Sequence, residues 1–155
     1  MPEDKDIQTA ATITAKWWAS YLREVESAFG TATKSLGEDG FVGKKTGRAS
    51  EVMRRAQYRF LTAALASLNE ERIVTFEEKL AHLIGLELRE KPHHVSLAAH
   101  SQTHLGGMLE KALGEVGIRA YLTPGEPMFP AEMVTITDPR RVVAYDKDGT
   151  YYLLR

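Results

Sequence analysis

The hydrophobic period changes part-way along this chain, and that change constrains its fold more than any other feature. Up to about residue 91 apolar residues recur every three or four positions; from about residue 93, alternation and turn residues take over. Trp18, Leu22, Val25 and Phe29, with Trp17, Tyr21 and Ala28 beside them, mark one wide helical face over residues 6–29. Asp4 or Asp6 suits its start and Gly30 its end. Gly30, Gly37, Gly40, Gly43 and Gly47 make residues 30–47 a loop. Ser50 then caps a second helix over 51–68, with Val52, Ala56, Phe60, Ala63 and Ala64 inward. Ser67 or Asn69 starts a third helix, Ser67 with Glu70 forming a capping-box pattern. Ile73, Phe76, Leu80, Leu83 and Ile84 follow at helical spacing, and Pro92 lies just past its end.

After Pro92, Val95, Leu97 and Ala99 alternate with Ser96, Ala98 and His100, the period of a strand. A fourth helix follows, capped by Ser101, with Leu105, Met108, Leu109, Ala112 and Val116 facing the core and Gly117 as its stop. Gly106 and Gly107 would each cost about 1 kcal/mol inside that helix, so it starts after them or another element packs very close there. Strands are expected over 118–122, 133–137, 141–145 and 150–154, the last two joined by Asp146-Lys147-Asp148-Gly149. The expectation is a single α+β domain over residues 1–155. Three helices (1–91) precede a strand, a helix and a β tail (93–155), and helices cover one face of a mostly antiparallel sheet.

Composition removes several function classes. With no cysteine there is no disulfide, thiolate metal site or thiol nucleophile. The acidic start has no apolar run, so it is not a secretory signal, and no segment nears the roughly 18 apolar residues of a membrane span. The cytoplasm is the expected compartment. Net charge is −1 but uneven: residues 44–59 hold six basic side chains (Lys44, Lys45, Arg48, Arg54, Arg55, Arg59) against Glu51, between two acidic stretches.

That basic stretch is the first candidate site. Arg55 and Arg59 are one helical turn apart, Lys44, Lys45 and Arg48 adjoin them, and Tyr58 lies between. Guanidinium forks suit phosphates and carboxylates, and a tyrosine ring can stack on a base. The competing reading is a solvated face, or one paired with the acidic helix of residues 70–90. Gly43-Lys44-Lys45-Thr46 is similar to the end of a P-loop, but the glycine required five positions earlier is Glu38 and no strand precedes it, so a nucleoside triphosphate site is rejected.

Histidines supply the second candidate. His93, His94, His100 and His104 lie within twelve residues, and His100 and His104 are four apart, the spacing that lets two imidazoles share a metal such as zinc on one helix face. Ser101 as cap would put His100 outside the helix, and no glutamate follows His100 directly, so the zinc-protease pattern is absent. A third ligand would come from His82, His94 or a distant carboxylate. Asp146 and Asp148 lack the later acids of a calcium loop, and no Gly-x-Ser-x-Gly elbow is present. Trp17 and Trp18 point about 100° apart on a helix, so one is core and the other flanks it, where it could serve a homo-oligomer interface.

Trp17-Trp18-Ala19, Phe76-Glu77-x-x-Leu80, Gly117-Ile118 and Phe129-Pro130 ahead of a β tail form a spaced pattern across most of the chain. It resembles small uncharacterised proteins of phage and bacterial genomes, which carry an Asp-Tyr pair where this chain has His100-Ser101. The resemblance implies the same α+β arrangement and a prokaryotic or phage setting; it implies no activity and no site residues. The expected function is a binding or interaction domain, without cofactor, that engages a protein or phosphate-bearing ligand through its basic loop and second helix. The alternative is a metal-dependent hydrolase-like enzyme built on residues 93–104, with a metal-bound water as nucleophile.

Overall fold

The computed structural model describes residues 3–43, 47–91, 94–99, 107–123 and 126–155, with the backbone alone for 31–35 and 123. Ile7, Ala10, Ala11, Thr14, Ala15, Trp18, Ala19 and Leu22 are all buried, and this stripe drives α1 (Asp4–Val42). The stripe fades beyond Leu22: Val25 is half-buried and Phe29 is 46% exposed. The helix nevertheless runs on through Gly30, where a loop is expected from the sequence. A helical glycine weakens a helix by roughly 1 kcal/mol without stopping it. The break comes instead at Gly37, whose φ of 67° is left-handed and kinks the helix before it resumes to Val42. Glu3 occupies the N-cap position with no side-chain bond, so neither Asp4 nor Asp6 caps α1; both lie in its first turn, where the helix dipole favours negative charge.

The second helix, α2 (Arg48–Ala66), starts three residues before the expected position, with Gly47 rather than Ser50 at its N-cap. Its buried side is rotated in the first turns only, since Ala64 is buried as expected. Leu61 and Ala64 are buried, whereas Val52 is 61% exposed and Ala56 is exposed. Tyr58 lies against Phe41 of α1 (ring centroids 5.4 Å apart), so the face used in packing is the one expected to hold polar residues. Ser67 closes α2, donating to the Ala64 carbonyl at 2.6 Å. The cap of α3 (Glu70–Glu90) is Asn69, whose side chain accepts the Arg72 N–H at 2.8 Å. Ile73, Phe76, Leu80, Ile84 and Leu88 of α3 are fully buried, in the predicted period.

The β half follows as β1 (Val95–Ala98), α4 (Gly107–Val116), β2 (Tyr121–Thr123), β3 (Glu126–Pro127), β4 (Met133–Asp138), β5 (Arg141–Tyr145) and β6 (Tyr151–Leu153). The predicted strand over 118–122 is thus displaced, Ile118 being buried ahead of it, and β2 and β3 form a separate two-stranded ribbon. The main sheet has the order β1-β4-β5-β6, antiparallel throughout. Pairings Val95–Ile136–Val142 and Leu97–Val134–Ala144 put one apolar row on the core side, all of it buried. Trp18 meets Phe129 edge-on at 5.2 Å, and Phe129 lies 5.9 Å from Phe76, so α1, α3 and the β half share one aromatic centre. The fold is therefore α+β, with N-terminal helices followed by an antiparallel sheet.

Two polar devices fix the sheet. Asp6 receives Arg155 Nη2 at 2.9 Å and Arg140 Nε at 3.2 Å, clasping the first turn of α1 to the far end of β5 and β6. The Arg140 guanidinium foremost, with Arg155, holds the Asp6 carboxyl below its ordinary range. In the β5–β6 turn, Asp146 Oδ1 accepts the N–H groups of Asp148 (2.9 Å) and Thr150 (3.0 Å), and Gly149 takes a φ of 82°. That turn is the hairpin expected from the sequence.

Candidate functional site

Lys44 and Lys45 lie outside the described residues; Arg48, Arg55, Tyr58 and Arg59 lie on α2. Arg48 is exposed in the first turn. Arg54 donates to the Val42 carbonyl at 2.9 Å, satisfying the end of α1. Arg55 is held by three carboxylates: Glu51 at 3.1 Å, Asp39 at 3.2 Å and Glu38 at 3.2 Å. The hydrogen bonds that Arg55 donates to these acids, Glu51 first, raise its pKa further and keep the guanidinium charged. Arg59 reaches Glu38 at 3.5 Å and its side chain remains 74% exposed.

Internal pairing of the basic stretch is therefore real, but with different acids from those of α3. The kink at Gly37 turns Glu38 and Asp39 onto α2, while Glu70 and Glu77 of α3 face Arg23 of α1 at 3.2 and 3.6 Å. Exposed pairs of this kind contribute about 0–1 kcal/mol each. Among the described residues, the arginine that retains most freedom to meet a ligand within the 55–59 turn is Arg59.

Beside it, between α1 and α2, opens a groove of ≈ 790 Å³. Tyr58 and Thr62 line it from α2, Arg23 and Ser27 from α1, and Leu65 and Leu68 give it an apolar side. Residues 59, 62 and 66 follow at helical spacing, so Arg59 lies on the α2 face that borders the groove. The groove thus combines hydroxyl groups, an aromatic ring, aliphatic surface and two carboxylates, Glu26 and Glu70, the latter paired with Arg23, while the largely exposed Arg59 stands on the neighbouring turn of α2. This is the composition of a ligand cleft rather than of a flat solvated surface.

Of the histidine site, His93, His100 and His104 lie outside the described residues. His94 is exposed, with Nε2 3.4 Å from Ser96 Oγ, and His82 is exposed on α3. Among the described residues no three histidine, aspartate or glutamate side chains converge to hold a metal.

A second cleft, of ≈ 500 Å³, has no precursor in the sequence reading. At it, the Tyr21 hydroxyl donates a hydrogen bond to Glu132 Oε2, and Glu24, Asp146, Lys147 and Asp148 also line the space. Burial, then the Glu132 carboxylate, pushes the Tyr21 phenol well above its usual range, so it stays a neutral donor. Tyr21 and Glu132 are 111 positions apart, and no local periodicity could have joined them. Their bond anchors the approach to β4 onto α1.

No family model matches the chain, and neither a curated protein nor a solved structure matches it. No described helix is long and apolar enough to cross a membrane.

Proposed function

We propose that the chain is a binding domain of the prokaryotic or phage cytoplasm that takes an anionic partner on α2. The partner group is a phosphate or carboxylate carried next to an apolar or aromatic moiety. Lys44, Lys45, Arg48, Arg55 and Arg59 supply the basic surface, and Tyr58 borders the cleft that receives the neighbouring moiety. What supports this reading is a groove of ≈ 790 Å³ lined by Tyr58 and Thr62 of α2, with the 74% exposed Arg59 one turn before Thr62 on the same helix.

Charge balance narrows the ligand. Glu38, Asp39 and Glu51 offset much of the local positive charge, which disfavours a long polyanion such as duplex DNA. A single anionic group held by one guanidinium fork fits better. Arg55, already held by three acids, positions the helix, and Arg59 meets the ligand.

The test is binding to an array of phosphorylated and acidic peptides, with single-stranded oligonucleotides alongside, at low and high salt. A binder is expected whose affinity falls roughly tenfold in Arg59→Ala, the loss of about 1.4 kcal/mol, and again in Tyr58→Ala. Undiminished binding by the Tyr58→Ala/Arg59→Ala double variant would overturn the reading.

A further inference from the structure

β6 ends the main sheet, and among the described residues nothing pairs with its outer edge. Its three residues are exposed: Tyr151 by 69%, Tyr152 by 46% and Leu153 by 66%. Natural sheets blunt such an edge with a lysine, a proline or a bulge. Residues 151–153 contain neither residue type and their register with β5 shows no shift; the irregularity, where Leu154 and Arg155 both donate to the Val142 carbonyl, comes after β6.

The direction of the backbone groups follows from the flanking hydrogen bonds. Asp146 N–H donates to the Thr150 carbonyl and Leu154 N–H to the Val142 carbonyl, so Thr150 and Leu154 face β5. By the alternation of an antiparallel ladder, Tyr152 also faces β5, and the N–H and C=O groups of Tyr151 and Leu153 face outward. The side chains of Tyr151 and Leu153, opposite Tyr145 and Val143, stand on the sheet face away from the core. Tyr152 stands on the core side, its ring 6.0 Å from Trp17 and its hydroxyl bonded to Asp146 at 3.3 Å, which fixes its orientation.

We infer that this edge pairs with β6 of a second copy of the chain, antiparallel and two-fold symmetric about Tyr152, to make a continuous eight-stranded sheet from the two four-stranded ones. In that register Tyr151 lies opposite Leu153 of the second copy, and the reverse. These are the two residues per copy with outward backbone groups, so four main-chain hydrogen bonds form. Every cross-strand side-chain pair is apolar or aromatic: Tyr151 with Leu153 twice on one face, Tyr152 with Tyr152 on the other.

Charge is complementary in the same arrangement. The hairpin end of β6 carries Asp146 and Asp148 against Lys147, a net acidic group. The opposite end carries Arg140, Arg141 and Arg155 near Glu3, Asp6 and Asp138; Asp6 is taken up by Arg140 and Arg155, and Arg141 is in no ion pair among the described residues. The two-fold brings each acidic turn to the end of the other copy that carries Arg141. A parallel pairing would set like ends together. The surface lies apart from the α1–α2 groove, so this interface stands or falls independently of the ligand reading.

Sedimentation equilibrium tests it, from micromolar to submillimolar chain concentration. The native chain is expected to approach twice its 17.3 kDa mass as concentration rises. Tyr151→Lys with Leu153→Lys sets like charges across the two-fold and is expected to give a monomer with an unchanged circular dichroism spectrum. Tyr151→Lys with Leu153→Glu sets opposite charges there and is expected to restore the dimer, now weakened by salt. A native monomer throughout, a dimeric double-lysine variant, or a monomeric lysine–glutamate variant would each overturn the proposal. Hydrogen exchange of the native chain checks it without mutation: the Tyr151 and Leu153 amides are expected to gain protection with concentration, and equal exchange at both extremes rejects the pairing.

Discussion

The two ends of α1 live under different physics. Its first half packs into the aromatic centre, where Trp18 and Phe76 have no exposure and Phe129 only 2%. Its last part, beyond Gly30, joins the start of α2 in an arm where Leu36, Val52 and Met53 are 57%, 61% and 64% exposed. The arm is held by the Phe41–Tyr58 contact, the burial of Val42 and the carboxylates around Arg55. Burial of large apolar side chains contributes about 1.5–3 kcal/mol each, whereas exposed ion pairs contribute about 0–1. The same helix is therefore firmly anchored at one end and lightly held at the other. The proposed ligand groove lies beside the light end, as expected where a surface must adjust to a partner.

Three changes sharpen or break this contrast. Trp18→Ala removes the side chain at the meeting point of α1 and Phe129, and is expected to cost about 3–5 kcal/mol in denaturant unfolding. A cost below about 1 kcal/mol would mean that the aromatic centre is not what anchors the helix.

Asp6→Asn comes next, because it loosens the clasp between α1 and the sheet. Its effect carries a pH signature. The folded carboxyl titrates below its ordinary value of 3.8, chiefly because of Arg140, so its stabilisation is fully present above that value and is lost as pH falls beneath it. The Tm of Asp6→Asn is expected to lie below that of the native chain at neutral pH, and the gap to close as the pH drops below 3.8. A gap independent of pH would show that the charge of Asp6 is not what matters.

Arg55→Ala is the smallest. It is expected to lower global stability only slightly, with the difference from the native chain shrinking at high salt. Its effect belongs to the arm: hydrogen exchange is expected to quicken along the first half of α2 and to stay unchanged in α3. Equal acceleration in both helices would erase the distinction between the two regions.

Sequence legibility follows the same divide. α3 could be read because its buried residues keep one helical period and Asn69 supplies a local cap. β4, β5 and the Asp146–Gly149 turn could be read because alternation and turn chemistry act over a few residues. In the arm those signals conflict. Five glycines suggested a loop from Gly30, but the chain stays helical to Val42 except at Gly37 and leaves the helix only at Gly43, since intrinsic propensity costs little per residue and a positive φ is what breaks the helix at both places. The apolar spacing of Val52 and Ala56 pointed α2 the wrong way, because Tyr58 and Arg55, not those residues, meet α1. The basic residues could be identified, but not their compensation: Glu38 lies 17 positions from Arg55 and is swung into place by the kink. Tyr21 and Glu132 were beyond reach for the same reason, on a longer scale.

The placement of the two tryptophans, the only ones in the chain, has a spectroscopic consequence. Among the described residues neither indole N–H has a hydrogen-bond partner, and Trp18 has no exposure. Indole emission shifts to shorter wavelength in apolar, unbonded surroundings, so the native chain should fluoresce toward the blue and shift red only when the aromatic centre opens. Loosening of the arm is silent to this probe, because no indole lies there. An optical melting curve of this protein therefore records its anchor, while loosening of the arm shows in the amide exchange of α2.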